Sequence, residues 1–253
     1  MSLYAERLGS GPELVLVHGW GLHGGIWAGL AQRLAQRFRV TVVDLPGHGR
    51  SSVAARMDLD TIADELVEQV EQPALWLGWS FGGLVTLMLA ARHPERVQGL
   101  VLVDTTPKFV QGGDWAHGMA SEVFAEFARG LEQDYRATLL RFLSLQAGAG
   151  DAGRALIRQL RTELFQHGEP QLAALRAGLA ILRDTDLRAM LAGIRAPTLV
   201  LHGSHDRLTP PAAGEFLAAQ IPQARYRLLR GAGHAPFLSD PAAFAAALEE
   251  FAA

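Results

Sequence analysis

The chain has 253 residues, 49% of them hydrophobic, with a formal net charge of −3 and no cysteine. That length and apolar content suffice for one domain with a full core, and the near-neutral charge implies no general affinity for nucleic acid or for an anionic membrane. The absence of thiols excludes disulfides, thiolate catalysis and zinc–thiolate sites, and a start without an apolar leader, in a chain with no run of membrane-spanning length, predicts a cytoplasmic protein.

Leu14-Val15-Leu16-Val17 is the first apolar run and ends in His18-Gly19-Trp20-Gly21-Leu22. Arg39 to Val43, Leu75 to Leu77 and Leu100 to Val103 follow, each continuous rather than alternating, as expected of strands buried on both faces of a largely parallel sheet. From about Phe109 to Arg183 the pattern is helical throughout, with apolar residues at helical spacing (Phe124, Phe127, Leu131; Leu139, Phe142, Leu143). Strands resume at Thr198 and Tyr226, and a helix from Pro241 to Phe251 closes the chain. The expected class is α/β: a mostly parallel central sheet with helices on both faces. Residues 1–108 and 184–253 would form its core, and 109–183 a helical lid over the strand carboxyl ends.

Gly78-Trp79-Ser80-Phe81-Gly82 lies between the short strand Ala74 to Leu77 and the helical run Leu84 to Ala90, the strand–turn–helix context of a G-x-S-x-G nucleophile elbow. Such a turn thrusts the serine hydroxyl outward and aims helix amides at the place where charge develops. The bland alternative is a tight turn whose serine caps the helix. A nucleophilic serine needs a base, and the base an orienting acid, in the order Ser, Asp/Glu, His. Of the nine histidines only His234, in Gly231-Ala232-Gly233-His234-Ala235-Pro236 after the last strand, has that order and context. His93, His117 and His167 read as solvated, and His18 and His48 as structural hydrogen-bonders. For the acid, Asp206, after the strand Thr198 to His202, is favoured over Asp104, which ends the strand Leu100 to Val103. A metal reading of His202, His205 and Asp206 finds no further ligand cluster, so no metal is predicted. The main-chain amides of Phe81 and Trp20 are the expected oxyanion donors, with the Trp20 indole lining the acyl pocket. Arg154, Arg158 and Arg161 fall at i, i+4 and i+7 on one helical face, which is either a solvated face or a docking surface for an acidic partner.

Together with Val43-Asp44-Leu45-Pro46-Gly47-His48-Gly49-Arg50-Ser51, Leu75-Trp76-Leu77-Gly78-Trp79-Ser80, His93-Pro94-Glu95-Arg96-Val97, Arg141-Phe142-Leu143-Ser144-Leu145-Gln146 and Ala232-Gly233-His234-Ala235-Pro236-Phe237, these residues give the whole chain a resemblance to a known family. The chain resembles the α/β-hydrolase superfamily, and within it the carboxylesterases of biotin synthesis, which remove the methyl group from pimeloyl-acyl-carrier-protein methyl ester. The resemblance implies Ser80 as nucleophile, His234 as base, Asp206 as acid, and Trp20 and Phe81 as oxyanion donors. It also implies a substrate channel lined by Phe142, Leu143, Ser144, Leu145 and Gln146, and contacts to acyl-carrier protein from Arg141, Arg154 and Arg158. No cofactor is implied, and the expected form is a monomer acting on carrier-borne or small-molecule esters. The chain departs from that pattern at Phe81, where leucine is expected, and after Gln146, where glycine and alanine abound. The rival readings are a carboxylesterase of broader range, an acyltransferase on the same residues, and a ligand receptor on this fold.

Overall fold

The inner strands of the sheet are largely apolar runs, and helices cover both of its faces. The computed structural model describes residues 3–54, 56–146 and 150–252, with the side chains of 145, 146, 150–152 and 155 outside that description. In chain order the elements are β1 (Ala5–Leu8), β2 (Glu13–Val17), α1 (Ala28–Leu34), β3 (Arg39–Val43), α2 (Leu59–Val67), β4 (Ala74–Trp79), α3 (Phe81–Arg92) and β5 (Val97–Val103). Then come α4 (Ser121–Gln133), α5 (Tyr135–Gln146), α6 (Gly150–Glu163), α7 (Leu172–Asp184), β6 (Thr198–Gly203), α8 (Pro211–Gln220), β7 (Ala224–Leu229), α9 (Pro236–Ser239) and α10 (Pro241–Phe251).

The sheet runs β1-β3-β2-β4-β5-β6-β7, with β1 antiparallel to β3 and every other pair parallel. Leu14 to Val17 and Leu100 to Val103 are fully buried, because helices cover both faces of these central strands. The chain winds outward from β2 to β3 and then crosses to β4 on the other side, so the order reverses between β2 and β4. At such a reversal the loops leaving the strand carboxyl ends diverge and open a crevice. β1 escapes the sequence reading: four residues long, half exposed and carrying Glu6 and Arg7, it has no apolar run to announce it.

Residues between β5 and β6 add no strand to the sheet among those described. The helical pattern expected from about Phe109 begins only at Ser121. Residues 109–119 instead form a loop closed by bridges between Val110 and Met119 and between Gly112 and Trp115. Pro107, Gly112, Gly113 and Gly118 break helix continuity there. The loop is pinned by Trp115, whose indole N–H donates to the Lys108 carbonyl at 2.8 Å and whose ring meets Phe216 of α8 at 5.0 Å between centroids. No helix among the described residues is long and apolar enough to cross a membrane.

Candidate active site

Ser80 sits between β4 and α3 with φ 55° and ψ −116°, a conformation non-glycine residues rarely adopt. The turn closes because its neighbours lack side chains. A Cβ on Gly78 would lie 2.4 Å from the Gly82 carbonyl, and one on Gly82 would lie 2.5 Å from the Val17 carbonyl at the end of β2. Ser80 is the residue before the first turn of α3 yet makes no side-chain cap bond, which removes the capping alternative. Its hydroxyl is instead 2.9 Å from His234 Nε2.

The other ring nitrogen of His234, Nδ1, lies 2.7 Å from Asp206 Oδ2. Asp206 is the hub of its loop. Its Oδ1 accepts the Leu208 and Thr209 amides at 2.8 and 3.1 Å, and its Oδ2 accepts the Thr209 hydroxyl at 2.6 Å as well as the imidazole. Burial raises the Asp206 carboxyl, but His234, which is hydrogen-bonded to it, and the nearby His202 outweigh that and hold it well below the usual carboxylate range. With the proton on Nδ1 facing that carboxylate, Nε2 is left as an acceptor for the serine proton. All three residues are buried, Ser80 at 8%, Asp206 at 6% and His234 at 1% exposure, so charge moving along this line is poorly screened.

The segment bearing Trp20 leaves β2 beside the elbow, where a Cβ on Gly19 would lie 3.3 Å from that of Ser80. Phe81 is the first residue of α3, so its amide is among the N-terminal donors that the helix leaves free. The Trp20 amide and the Phe81 amide thus come from the two segments that meet at Ser80. The Trp20 segment is anchored by two histidines. His18 Nε2 accepts the Leu45 amide at 2.9 Å, and His48 Nε2 accepts the Gly21 amide at 3.3 Å, as their structural reading expects. Burial, and for His18 also the neighbouring His48, lowers them to about 3 and about 4, so both stay neutral and keep Nε2 as an acceptor. Asp44 supports the same corner, accepting the Gly24 amide at 2.6 Å and the Arg50 guanidinium at 2.8 Å.

The Trp20 ring reaches the helices between β5 and β6. It meets Phe127 of α4 at 5.4 Å and Phe142 of α5 at 5.2 Å, and its indole N–H donates to the Leu175 carbonyl of α7 at 3.0 Å. Gly178 makes the last contact possible, since a Cβ there would lie 2.6 Å from the indole. Trp20, Phe142, Phe124, Phe127, Leu179 and Leu182 enclose a wholly apolar cavity of about 30 Å3. Leu143 is buried, whereas Ser144 is exposed and donates its hydroxyl to the Leu140 carbonyl. The side chains of Leu145 and Gln146 lie outside the described residues. Arg141, Arg154, Arg158 and Arg161 are exposed, the last three on the outer face of α6 opposite the buried Leu156 and Leu160.

Three residues here have a role that sequence does not assign: Trp79, within the elbow motif, whose indole N–H donates to the His234 carbonyl at 2.6 Å; Thr209, which fastens Asp206; and Asp44, within the motif Val43 to Ser51. His205 is exposed and His202 is turned to the Thr209 carbonyl, so neither gathers with Asp206 as a ligand set. Oxygens of Asp104 and Asp206 and a nitrogen of His234 do lie within 4.8 Å of one another, but Asp206 and His234 already bond each other there.

An α/β-hydrolase fold family model matches residues 12–241. Along nearly its whole length the chain is similar to two curated proteins named pimeloyl-acyl-carrier-protein methyl ester esterase. One, from Chromobacterium violaceum, is 44% identical over 99% of this chain and 98% of its own; the other, from Nitrosomonas europaea, is 42% identical over 96% of each. Among solved structures, an esterase from Exiguobacterium antarcticum superimposes with a TM-score of 0.90 at 26% identity, covering 98% of this chain and 94% of that one. A hydrolase from Pseudomonas aeruginosa does so with a TM-score of 0.86 at 31% identity, covering 99% and 94%.

Proposed function

The chain belongs to the α/β-hydrolase family, beside the pimeloyl-acyl-carrier-protein methyl ester esterases it matches end to end, and on that premise we propose that it is a serine carboxylesterase that cleaves this methyl ester in biotin synthesis. The observation that carries the reading is the hydrogen-bonded line from Ser80 Oγ through His234 to Asp206, at 2.9 and 2.7 Å. Ser80 Oγ attacks the ester carbonyl as its proton passes to His234 Nε2. The oxyanion that forms is met by the amides of Trp20 and Phe81 at the N-terminus of α3, whose dipole favours negative charge. His234 returns the proton to the departing methoxide, releasing methanol. It then takes a proton from water, whose oxygen attacks the acyl-enzyme, and passes it to Ser80 Oγ as the bond to the acyl carbon breaks, freeing pimeloyl-acyl-carrier protein and restoring the serine. Asp206 fixes the imidazole tautomer and offsets the charge of the imidazolium. Water and these side chains supply every atom that moves, so no cofactor enters the proposed reaction.

The helices between β5 and β6 act in this reading as a lid. A cavity of about 30 Å3 has room for little more than a water-sized group. An acyl chain of several methylenes therefore enters only as α4, α5 and α7 part around Trp20, and an all-apolar lining suits such a chain. Arg141, Arg154 and Arg158 then meet the acidic carrier protein outside. We place the protein in the cytoplasm, acting as a monomer. The direct test is methanol release from pimeloyl-acyl-carrier-protein methyl ester by the purified protein and by Ser80→Ala. The expected result is turnover by the wild type alone. Cleavage of small esters without cleavage of the carrier-borne one would favour a broad-range esterase.

A further inference from the structure

We propose that the acid behind His234 is a pair of carboxyls, Asp104 with Asp206, that share one negative charge, and that Asp104 is a positioning residue which takes over the imidazole when Asp206 cannot carry that charge. The inference rests on the reading of Ser80, His234 and Asp206 as the reacting line. Asp104 leaves the end of β5 and Asp206 follows the end of β6, neighbouring strands paired through Val103 and Leu201. An oxygen of each carboxyl and a ring nitrogen of His234 lie within 4.8 Å of one another.

Nothing about Asp104 is that of an ordinary core residue. It is fully buried, yet its Oδ2 has no hydrogen-bond partner among the described residues, an expensive arrangement unless the oxygen has a use. Its φ of 44° is the second positive value at a non-glycine position among the described residues, the other being Ser80. That strained backbone is held from several sides. The Asp104 amide donates to the Leu201 carbonyl at 3.0 Å, its Oδ1 accepts the Gly203 amide at 2.8 Å, and its carbonyl lies 2.9 Å from the Thr209 hydroxyl. The same hydroxyl is 2.6 Å from Asp206 Oδ2 and 3.4 Å from His234 Nδ1, so one side chain touches all three residues.

The titratable groups facing the pair are few. His202, on β6, has Nε2 3.7 Å from Asp104 Oδ1 and 3.5 Å from Asp206 Oδ2, but turns it to the Thr209 carbonyl at 2.8 Å. Tyr226, on β7 and raised to about 12 by burial first, lies within reach of the Asp104 carboxyl, and His234 faces the pair from the loop beyond. Two buried carboxylates this close do not both ionise. Asp206, with three hydrogen bonds besides that from the imidazole, keeps the charge. Burial, and then the charge on Asp206, raise Asp104 well above the carboxylate range, so it keeps the proton. Converting Asp206 to a neutral amide removes the repulsion and leaves the forming imidazolium with Asp104 as its counter-charge.

The experiment compares kcat for p-nitrophenyl butyrate in Asp206→Asn and in Asp206→Asn/Asp104→Asn, from about pH 6 to about pH 9. Asp206→Asn is expected to keep about tenfold or more of the double variant's kcat. Its kcat should also climb with pH as Asp104 ionises, a rise missing from the double variant. Equal kcat and parallel profiles in the two overturn the pair. Should melting curves show the double variant unfolded, the profile of Asp206→Asn against wild type decides, and parallel profiles again overturn it. Full activity in Ser80→Ala or in the double variant would instead overturn the reading on which the pair rests.

Discussion

The indole N–H of Trp79 donates to the main-chain carbonyl of His234 across 2.6 Å, so the residue before the elbow serine also holds the loop that carries this histidine. The Trp79 ring is buried against Trp27, Phe237 and the imidazole itself. Trp79→Phe keeps most of that packing and leaves the His234 carbonyl without its donor, at a cost of about 1–3 kcal/mol. We expect a lower melting temperature, together with a kcat reduced by about tenfold at nearly unchanged KM. A kcat equal to wild type would show that the loop is held without this bond.

Ser80→Ala and His234→Ala should each reduce ester hydrolysis by about a thousandfold or more, and combining them should cost little beyond either alone, because the residues act as a unit. Both variants should melt near the wild-type temperature, since neither side chain is a large apolar core group. A fluorophosphonate probe should label the wild type and not Ser80→Ala. More than a few per cent of activity left in Ser80→Ala would sink the assignment.

Reversing the charge of exposed arginines separates carrier docking from catalysis. Arg141→Glu and Arg158→Glu, and Arg154→Glu with them, should raise KM for the carrier-borne methyl ester by up to about tenfold, with an effect that shrinks as salt screens the charges. Cleavage of p-nitrophenyl butyrate should be unaffected. Equal losses on both substrates would assign the arginines to lid structure, and no loss on either would leave them as a solvated face.

Acid should weaken the fold well before it protonates ordinary carboxylates. His18 and His48 are lowered from 6.5 to about 3 and about 4, by burial first, so the unfolded chain binds protons that the folded one refuses. Their contribution is complete above pH 6.5 and is lost as pH falls toward those values, at about 1.4 kcal/mol per pH unit for each histidine. Asp44 extends the loss below its ordinary 3.8: burial raises it, but the Arg50 hydrogen bond and His18 prevail and lower it to about 2. Urea unfolding at pH 7, 6 and 5 reads the slope. Constant stability over that range would mean that the two rings accept protons in the folded protein.

What could be read from the chain beforehand follows from what burial does to sequence. Strands covered on both faces must be apolar throughout, so Leu14 to Val17 and Leu100 to Val103 announced themselves, and the glycines around Ser80 marked a turn too tight for side chains. β1 did not, because half of an edge strand faces water and its residues look like those of a loop. The Trp115 loop mimics a helix in sequence because its apolar residues pack inward without any helical bond. Trp79, Thr209 and Asp44 act through hydrogen bonds to backbone or buried polar groups far away in sequence, as with the 155 positions between Trp79 and His234. No local pattern encodes such a pairing.

The crowding around Ser80 also bounds how the protein could be made more heat-tolerant. Exchanging glycine for alanine is a common route, because it reduces the freedom of the unfolded chain by about 0.4–1 kcal/mol per site. Gly82 and Gly83, in the first turn of α3, are closed to it: an added methyl would lie 2.5 Å from the Val17 carbonyl at one and 2.5 Å from Thr105 at the other. Gly29 in α1, with nothing within 4 Å of where its methyl would go, stands open. Latitude for engineering therefore lies on the outer helices, and the elbow, although three of its six residues from Gly78 to Gly83 are glycine, has none to give.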